Sequence, residues 1–246
     1  MTPFFSLGEI VRLPHLLIGG AIGQGGQQYL LDQTNELSTN NEISLVILDP
    51  GFIWFSDFDG SPHLAIPRAK STDECSTALD WVKDEIDRRL CTPPSDTEKL
   101  SCIIVAIDQI EDIVTPVYDK LRRILLLGGD VGVHVIANIH AGSMDSMPDD
   151  MLSAFPARIA FLCATREESI RLIGIPHAVN LYPFCEFFIN NAGKIQSYLL
   201  PLTSYLSLGF RSEVIGNRFR QFARRIGGRA KFRTIGLPFT STRQNL

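Results

Sequence analysis

The sequence predicts an α/β fold, a mainly parallel sheet flanked by helices. Three observations carry that expectation. Segments of strand character alternate with segments of helical periodicity along the whole chain. Several strand candidates are apolar without interruption, as in strands covered on both faces rather than one. One of them runs into a glycine-rich turn, and two end in an aspartate, Asp49 and Asp108. With 246 residues, 45% hydrophobic and 20% charged, the chain suits one large domain with its own core and excludes a disordered or fibrous protein.

Taken in order, Leu16-Leu17-Ile18 is the first short apolar strand, and Gly19 to Gly26 is the turn that follows. A helix is expected from Gln27 to about Glu36. Ser44 to Leu48 is the second strand, stopped at Asp49-Pro50 because proline cannot donate to a ladder. From 73 to 90, Leu79, Val82, Ile86 and Leu90 recur at spacings of 3 and 4, which marks an amphipathic helix. Thr92 to Lys99 reads as a polar loop. Cys102 to Ile107 is the most apolar strand, and a helix from about Pro116 to Leu127 closes at Gly128-Gly129. Val131 to Ile139 and Arg158 to Cys163 are two further strands.

No apolar run approaches the roughly 18 residues that span a bilayer. The start, MTPFFSLGEI, carries no basic stretch ahead of an apolar core, so no secretory leader is expected. Five scattered cysteines with no CxxC spacing read as reduced core thiols of a cytoplasmic protein. The five histidines are dispersed, and no metal site is expected.

The net charge of −4 conceals two halves of opposite sign. Residues 1–204 carry 14 Lys and Arg against 26 Asp and Glu, while residues 205–246 carry 9 against 1. The expected division is therefore an acidic body, 1–204, and a basic extension, 205–246. In the extension, Ile215, Phe219, Phe222 and Ile226 share one helix face. Arg211, Arg218 and Arg225 run beside it, with Arg220 and Arg224 on the far side. Such a helix suits a partner's acidic groove, a nucleic-acid backbone or an anionic membrane, or packs on its own acidic body.

A strand, a glycine turn and a helix is the layout that cradles phosphate on backbone amides. Its working form, GxxxxGK[ST], adds a lysine for the outer phosphates and a hydroxyl for magnesium. Here the frame is Gly20-Ala21-Ile22-Gly23-Gln24-Gly25-Gly26-Gln27, with Gly26 at the lysine position and Gln27 at the hydroxyl position. On spacing alone, a turn that serves only helix packing explains the glycines better. The strand ending Ile107-Asp108-Gln109 reads as the second nucleotide element, an acid delivered at a strand end. Gln109 stands where a hydrolase of this kind carries a glutamate, and it cannot accept a proton. His140, at the end of another strand near Asp108, reads as an acid/base partner of that aspartate or as a structural hydrogen bond.

Arg12 to Ala21, RLPHLLIGGA, resembles "MPHLLVAGATGSGKS"; Leu45 to Pro50 with Phe58 to Leu64 resembles "LVLIDPKGVELSVFDGIPHL". Ile103 to Asp112 resembles "IVVVIDELADL", Gly132 to Val135 resembles "GIHLVLATQRP", and Phe155 to Phe161 resembles "FPTRIAF". Together, over about residues 7–175, these segments resemble the motor domain of the FtsK/SpoIIIE/HerA family of DNA-translocating P-loop ATPases. The resemblance implies a P-loop NTPase (RecA/HerA-like) sheet. It also implies a remnant nucleotide site at Gly20, Gly23, Gly25, Gly26, Gln27, Asp108 and Gln109, with His140 at the sensor position.

The chemical positions depart from the family together. The lysine after "DP" is Gly51, the glutamate further on is Trp54, and the sensor glutamine is His140. The expectation is a catalytically inactive member with a structural or regulatory role beside an active paralogous ATPase, in a DNA-transfer or secretion assembly. The alternatives are a nucleotide-binding switch without turnover and a working translocase with atypical motifs. No resident cofactor is expected, with ATP and magnesium bound weakly at most. The expected partners are an active FtsK/HerA-like ATPase or subunits of transfer or secretion machinery, in a homo- or hetero-oligomer. DNA contact would run through the tail, and any membrane association through a partner at its inner face.

Overall fold

The computed structural model describes residues 15–51, 54–93, 100–183 and 186–199. The extension 205–246, with Arg211, Arg218, Arg220, Arg224 and Arg225, lies outside the described residues, as do positions 94–99 of the polar loop.

Among the described residues, seven strands form one sheet in the order β2-β3-β4-β1-β5-β6-β7. They are β1 (His15–Gly20), β2 (Ile43–Leu48), β3 (Cys102–Ile107), β4 (Val133–His140), β5 (Ala157–Ala160), β6 (Glu186–Asn191) and β7 (Lys194–Leu199). The first five pair in parallel, and β1 sits centrally between β4 and β5. β1 is buried along its whole length, and β3 and β4 nearly so, which accounts for their unbroken apolar character. The fold class read from the sequence is the one observed.

Helices connect the parallel strands as the crossovers require. α1 (Gly26–Leu37) follows β1, and α2 (Thr72–Leu90) precedes β3. The Ser71 side chain caps α2 by accepting the Glu74 N–H, with acids in the first turn and arginines in the last, matching the helix dipole at both ends. The short α3 (Ile110–Ile113) and α4 (Tyr118–Leu127) lie between β3 and β4. α5 (Asp149–Ser153) precedes β5, and α6 (Arg166–Ile173) follows it with a complete Thr165/Glu168 capping box. One continuous core joins the β3 and β4 side chains Ile103, Val105, Val133 and Val135 to Leu79, Val82 and Ile86 of α2 and to Leu121 and Ile124 of α4.

Several expectations are corrected. Leu90 is exposed and Arg89 is buried in its place, because the Arg89 guanidinium donates to the Val131 carbonyl at 2.9 Å. Val131 belongs to a 3-10 turn, Gly128–Val131, so β4 starts at Val133 and extends to His140. β5 ends at Ala160, short of Cys163. Of the thiols, Cys75 and Cys163 are buried but Cys91, just past the end of α2, is exposed. The antiparallel hairpin β6–β7, which adds two strands beyond β5, has no counterpart in the sequence reading.

The β2 edge is covered by the chain itself. The Leu45 N–H donates to the His63 carbonyl at 2.7 Å, and the Ala69 N–H to the Ile47 carbonyl at 3.0 Å. Beneath this strap, Arg68 is buried and bonds Asp49 at 2.8 Å and Asp59 at 2.8 and 3.0 Å.

Candidate functional site

The glycine loop is built by β1 delivering Gly20 to the sheet's C-terminal edge, where parallel sheets of this class place ligands. The Ala21 N–H donates to the Leu162 carbonyl at 2.7 Å, and the Gln24 N–H to the Ala21 carbonyl at 3.1 Å, so the loop is tied to the chain beyond β5. Gly25 has φ of 110°, a left-handed conformation that glycine adopts without penalty. The first helical bond runs from the Tyr29 N–H to the Gly25 carbonyl, 2.9 Å. The N–H groups of Gly26, Gln27 and Gln28 are therefore not taken up within α1, the arrangement that suits an anion.

The position that would carry lysine is closed. A Cβ on Gly26 would lie 2.7 Å from the Asn138 Oδ1, so any side chain there must displace that carboxamide. At the next position Gln27 turns its carboxamide onto Asp108, with Nε2 at 3.1 and 3.3 Å from the two carboxylate oxygens. The Asn138 Nδ2 adds a third contact at 3.3 Å. Asp108 is buried at the end of β3, and that burial, helped by the charges of Asp49 and Glu111, pushes its pKa up to about 6 against the opposing hydrogen bonds.

Gln109 caps α3 in a left-handed conformation, φ 50° and ψ 60°, which is strained for a side-chain-bearing residue by about 1 kcal/mol or more. A Cβ on Gly51 would lie 2.9 Å from its Oε1, so Gly51 and Gln109 face each other across the ends of β2 and β3. Asp49 reaches the same edge but is engaged by Arg68 and by the Phe55 N–H at 3.2 Å.

His140 is paired in register with Gly20, which brings it beside the loop. Its ring does not bond Asp108. Nδ1 lies 2.9 Å from the Glu111 Oε1, which also accepts the His140 N–H at 3.0 Å. Burial raises the proton affinity of Glu111.

The structure thus gathers Gly20, Gly23, Gly25, Gly26, Gln27, Asp108, Gln109 and His140 at one edge. Three participants were missed: Asn138, Glu111 and Arg68. Asn138 had a readable signal, a lone carboxamide inside the apolar run of β4. Glu111 had none, because a glutamate in a helix is ordinarily a solvated residue. Among the described residues no cluster of His, Cys, Asp and Glu suits a metal ion. The amides at the start of α1 have the arrangement that suits an anion, while Gly26 and Gln27 bring neither an ammonium nor a hydroxyl to the loop.

No family model matches the chain. The DNA translocase FtsK of Clostridium acetobutylicum is 23% identical over 210 residues, covering 76% of this chain and 28% of the relative. The DNA translocase SftA of Bacillus subtilis is 26% identical over 212 residues, covering 76% and 22%. The chain thus spans about a quarter of the length of these curated relatives. Among solved structures, ATPases 2 and 3 of EssC from Geobacillus thermodenitrificans superpose with a TM-score of 0.65 at 17% identity, covering 87% of this chain and 44% of that one. The sheet, its crossovers and the loop position are those of the P-loop NTPase fold. The chain resembles FtsK-type translocases over most of its length.

Proposed function

We propose that this chain is an FtsK-like P-loop subunit that does not turn over ATP and serves a DNA-transfer or secretion assembly in a structural or regulatory role, beside an active ATPase. The observation that carries the reading is the Gln27–Asp108 contact. A carboxylate that faces magnesium must be open to the ion. Asp108 is instead capped by two carboxamides. Phosphoryl transfer depends almost wholly on positioning and charge stabilisation, so replacing lysine, hydroxyl and glutamate by Gly26, Gln27 and Gln109 removes most of it. The setting is suggested by the relatives, which are named DNA translocases. The solved pCW3 conjugation coupling protein TcpA, with a TM-score of 0.64, points the same way.

The test is hydrolysis by the purified full-length protein. Its rate should equal that of Asp108→Ala. Turnover of about 1–100 per second, abolished by Asp108→Ala, overturns the reading. The extension 205–246 is proposed as the partner-binding arm. Two of its phenylalanines, Phe219 and Phe222, offer apolar anchors that a phosphate backbone does not need, and its arginines suit an acidic surface.

A further inference from the structure

We propose that residues 4–11, ahead of β1, dock on an apolar patch made by Leu90 and Leu126 at the ends of α2 and α4. The patch lies at the N-terminal edge of the sheet, opposite the glycine loop, so the inference stands apart from the nucleotide reading. Residues 4–11 themselves lie outside the described residues.

The patch interrupts otherwise complete packing. Leu79, Val82 and Ile86 of α2 are fully enclosed, as are Leu121 and Ile124 of α4. Leu90, the last residue of α2, is 49% exposed, and Leu126, one before the last of α4, is 55% exposed. The two are neighbours. Arg123 of α4 pairs with Asp87 of α2, and Leu126 and Leu90 each follow three residues later, one turn on along the same two faces. The Arg89 guanidinium, bonded to the Val131 carbonyl at 2.9 Å, ties the end of α2 to the turn after α4. Cys91, the next residue, is exposed beside them. A single exposed leucine is ordinary, but two at adjoining helix ends make a continuous apolar surface, which marks a place of contact.

The start of β1 says what covers it. His15 opens β1 and is buried against the last turn of α4. Its Nδ1 accepts the Val135 N–H at 3.0 Å. Burial lowers the proton affinity of the ring, and the Leu125 carbonyl lies close enough to work the other way. The chain ahead of His15 therefore emerges beside Leu125, the residue before Leu126. An extended chain advances about 3.3 Å per residue, so the stretch from His15 back to Val11 and Leu7 is long enough for both leucines. Its composition suits the surface. Phe4, Phe5, Leu7, Ile10 and Val11 stand against a single charge, Glu9. Phe4, Leu7 and Val11 recur at spacings of 3 and 4, the pattern of one apolar helix face.

Tethering favours this occupant over an outside one. A short linker sets an effective concentration of about millimolar, which a free partner at micromolar levels does not match.

The test uses the full chain, with Cys91 as reporter. Modification of its thiol by iodoacetamide, followed by peptide mass, should quicken about tenfold or more in Leu7→Asp, the change expected when one buried leucine contact is lost. Circular dichroism checks that the variant stays folded. A second reading needs no disruptive charge. In Leu7→Cys, oxidation by diamide should join the introduced thiol to Cys91 within one chain, at a yield independent of protein concentration, and Cys91→Ser should abolish the link. A link formed only between chains assigns the patch to a second copy and overturns the proposal. So does the absence of any link from Phe4→Cys, Leu7→Cys and Val11→Cys alike, or a Cys91 rate unmoved by Leu7→Asp. ATP hydrolysis enters neither readout, so turnover would sink the inactive-subunit reading and leave this result standing.

Discussion

Single residues decide the chemistry at the sheet edge, and two substitutions expose how. Gly26 is held small by Asn138, whose Oδ1 a Cβ would meet at 2.7 Å. Gly26→Lys alone should therefore lower stability by about 1–3 kcal/mol in urea unfolding, the usual cost of overpacking. Adding Asn138→Ala should recover part of that loss; full additivity of the two costs would show that the clash is not theirs. Asp108 gives the second prediction. Its pKa is raised to about 6 from the ordinary value near 4, so the folded protein holds more protons than the unfolded chain between those values. Its contribution is therefore most favourable at low pH and is lost as pH rises from about 4 through 6. Asp108→Asn removes that loss and should stabilise the protein by about 1–3 kcal/mol at pH 8. An equal melting temperature for the two proteins at that pH would refute the buried, capped carboxylate.

At the scale of elements, the strap over β2 is held by a charge cluster. Arg68 is fully enclosed against Asp49, and it also ties down Asp59, whose carboxyl it pulls to about 2. Arg68→Ala would strand Asp49 in the interior, and breaking a buried pair on one side costs about 3–5 kcal/mol. Urea unfolding should show that loss, and a cost below about 1 kcal/mol would mean that Asp49 reaches solvent through the strap. The α6 cap is a smaller device of the same kind. Thr165→Ala removes the acceptor for the Glu168 N–H and should cost about 1 kcal/mol.

For the whole molecule, two buried groups pull the pH profile in opposite directions. Burial, with His134 nearby, lowers the His15 pKa to about 4, so the unfolded chain holds the extra proton between there and its ordinary 6.5. His15 therefore favours the folded state as pH rises through that window, while Asp108 opposes it. The unmutated protein should change little in stability between about pH 4 and pH 6 from this pair, and Asp108→Asn should uncover a clear rise. Chemical denaturation across that range checks it. The remaining expectation concerns assembly: removing 205–246 should leave the body folded, by circular dichroism and cooperative melting, while co-purification with its partners is lost.

The parallel sheet, the crossover helices and the position of the glycine turn were legible in the residues, because burial on both faces demands unbroken apolar strands and a left-handed turn favours glycine. The residue types at Gly26, Gln27 and Gln109 were legible too, since each stands at a fixed spacing from the glycine turn or the strand end. Only the folded chain shows what surrounds them. That Gln27 and Asn138 converge on Asp108, 81 and 30 positions distant in sequence, follows from which strands lie side by side. Strand order is set by long-range packing that no local pattern records. The same holds for His140, which its place near a strand end suggested as a partner of Asp108. The α3 turn instead brings Glu111 closer, and the shorter contact decides the pairing.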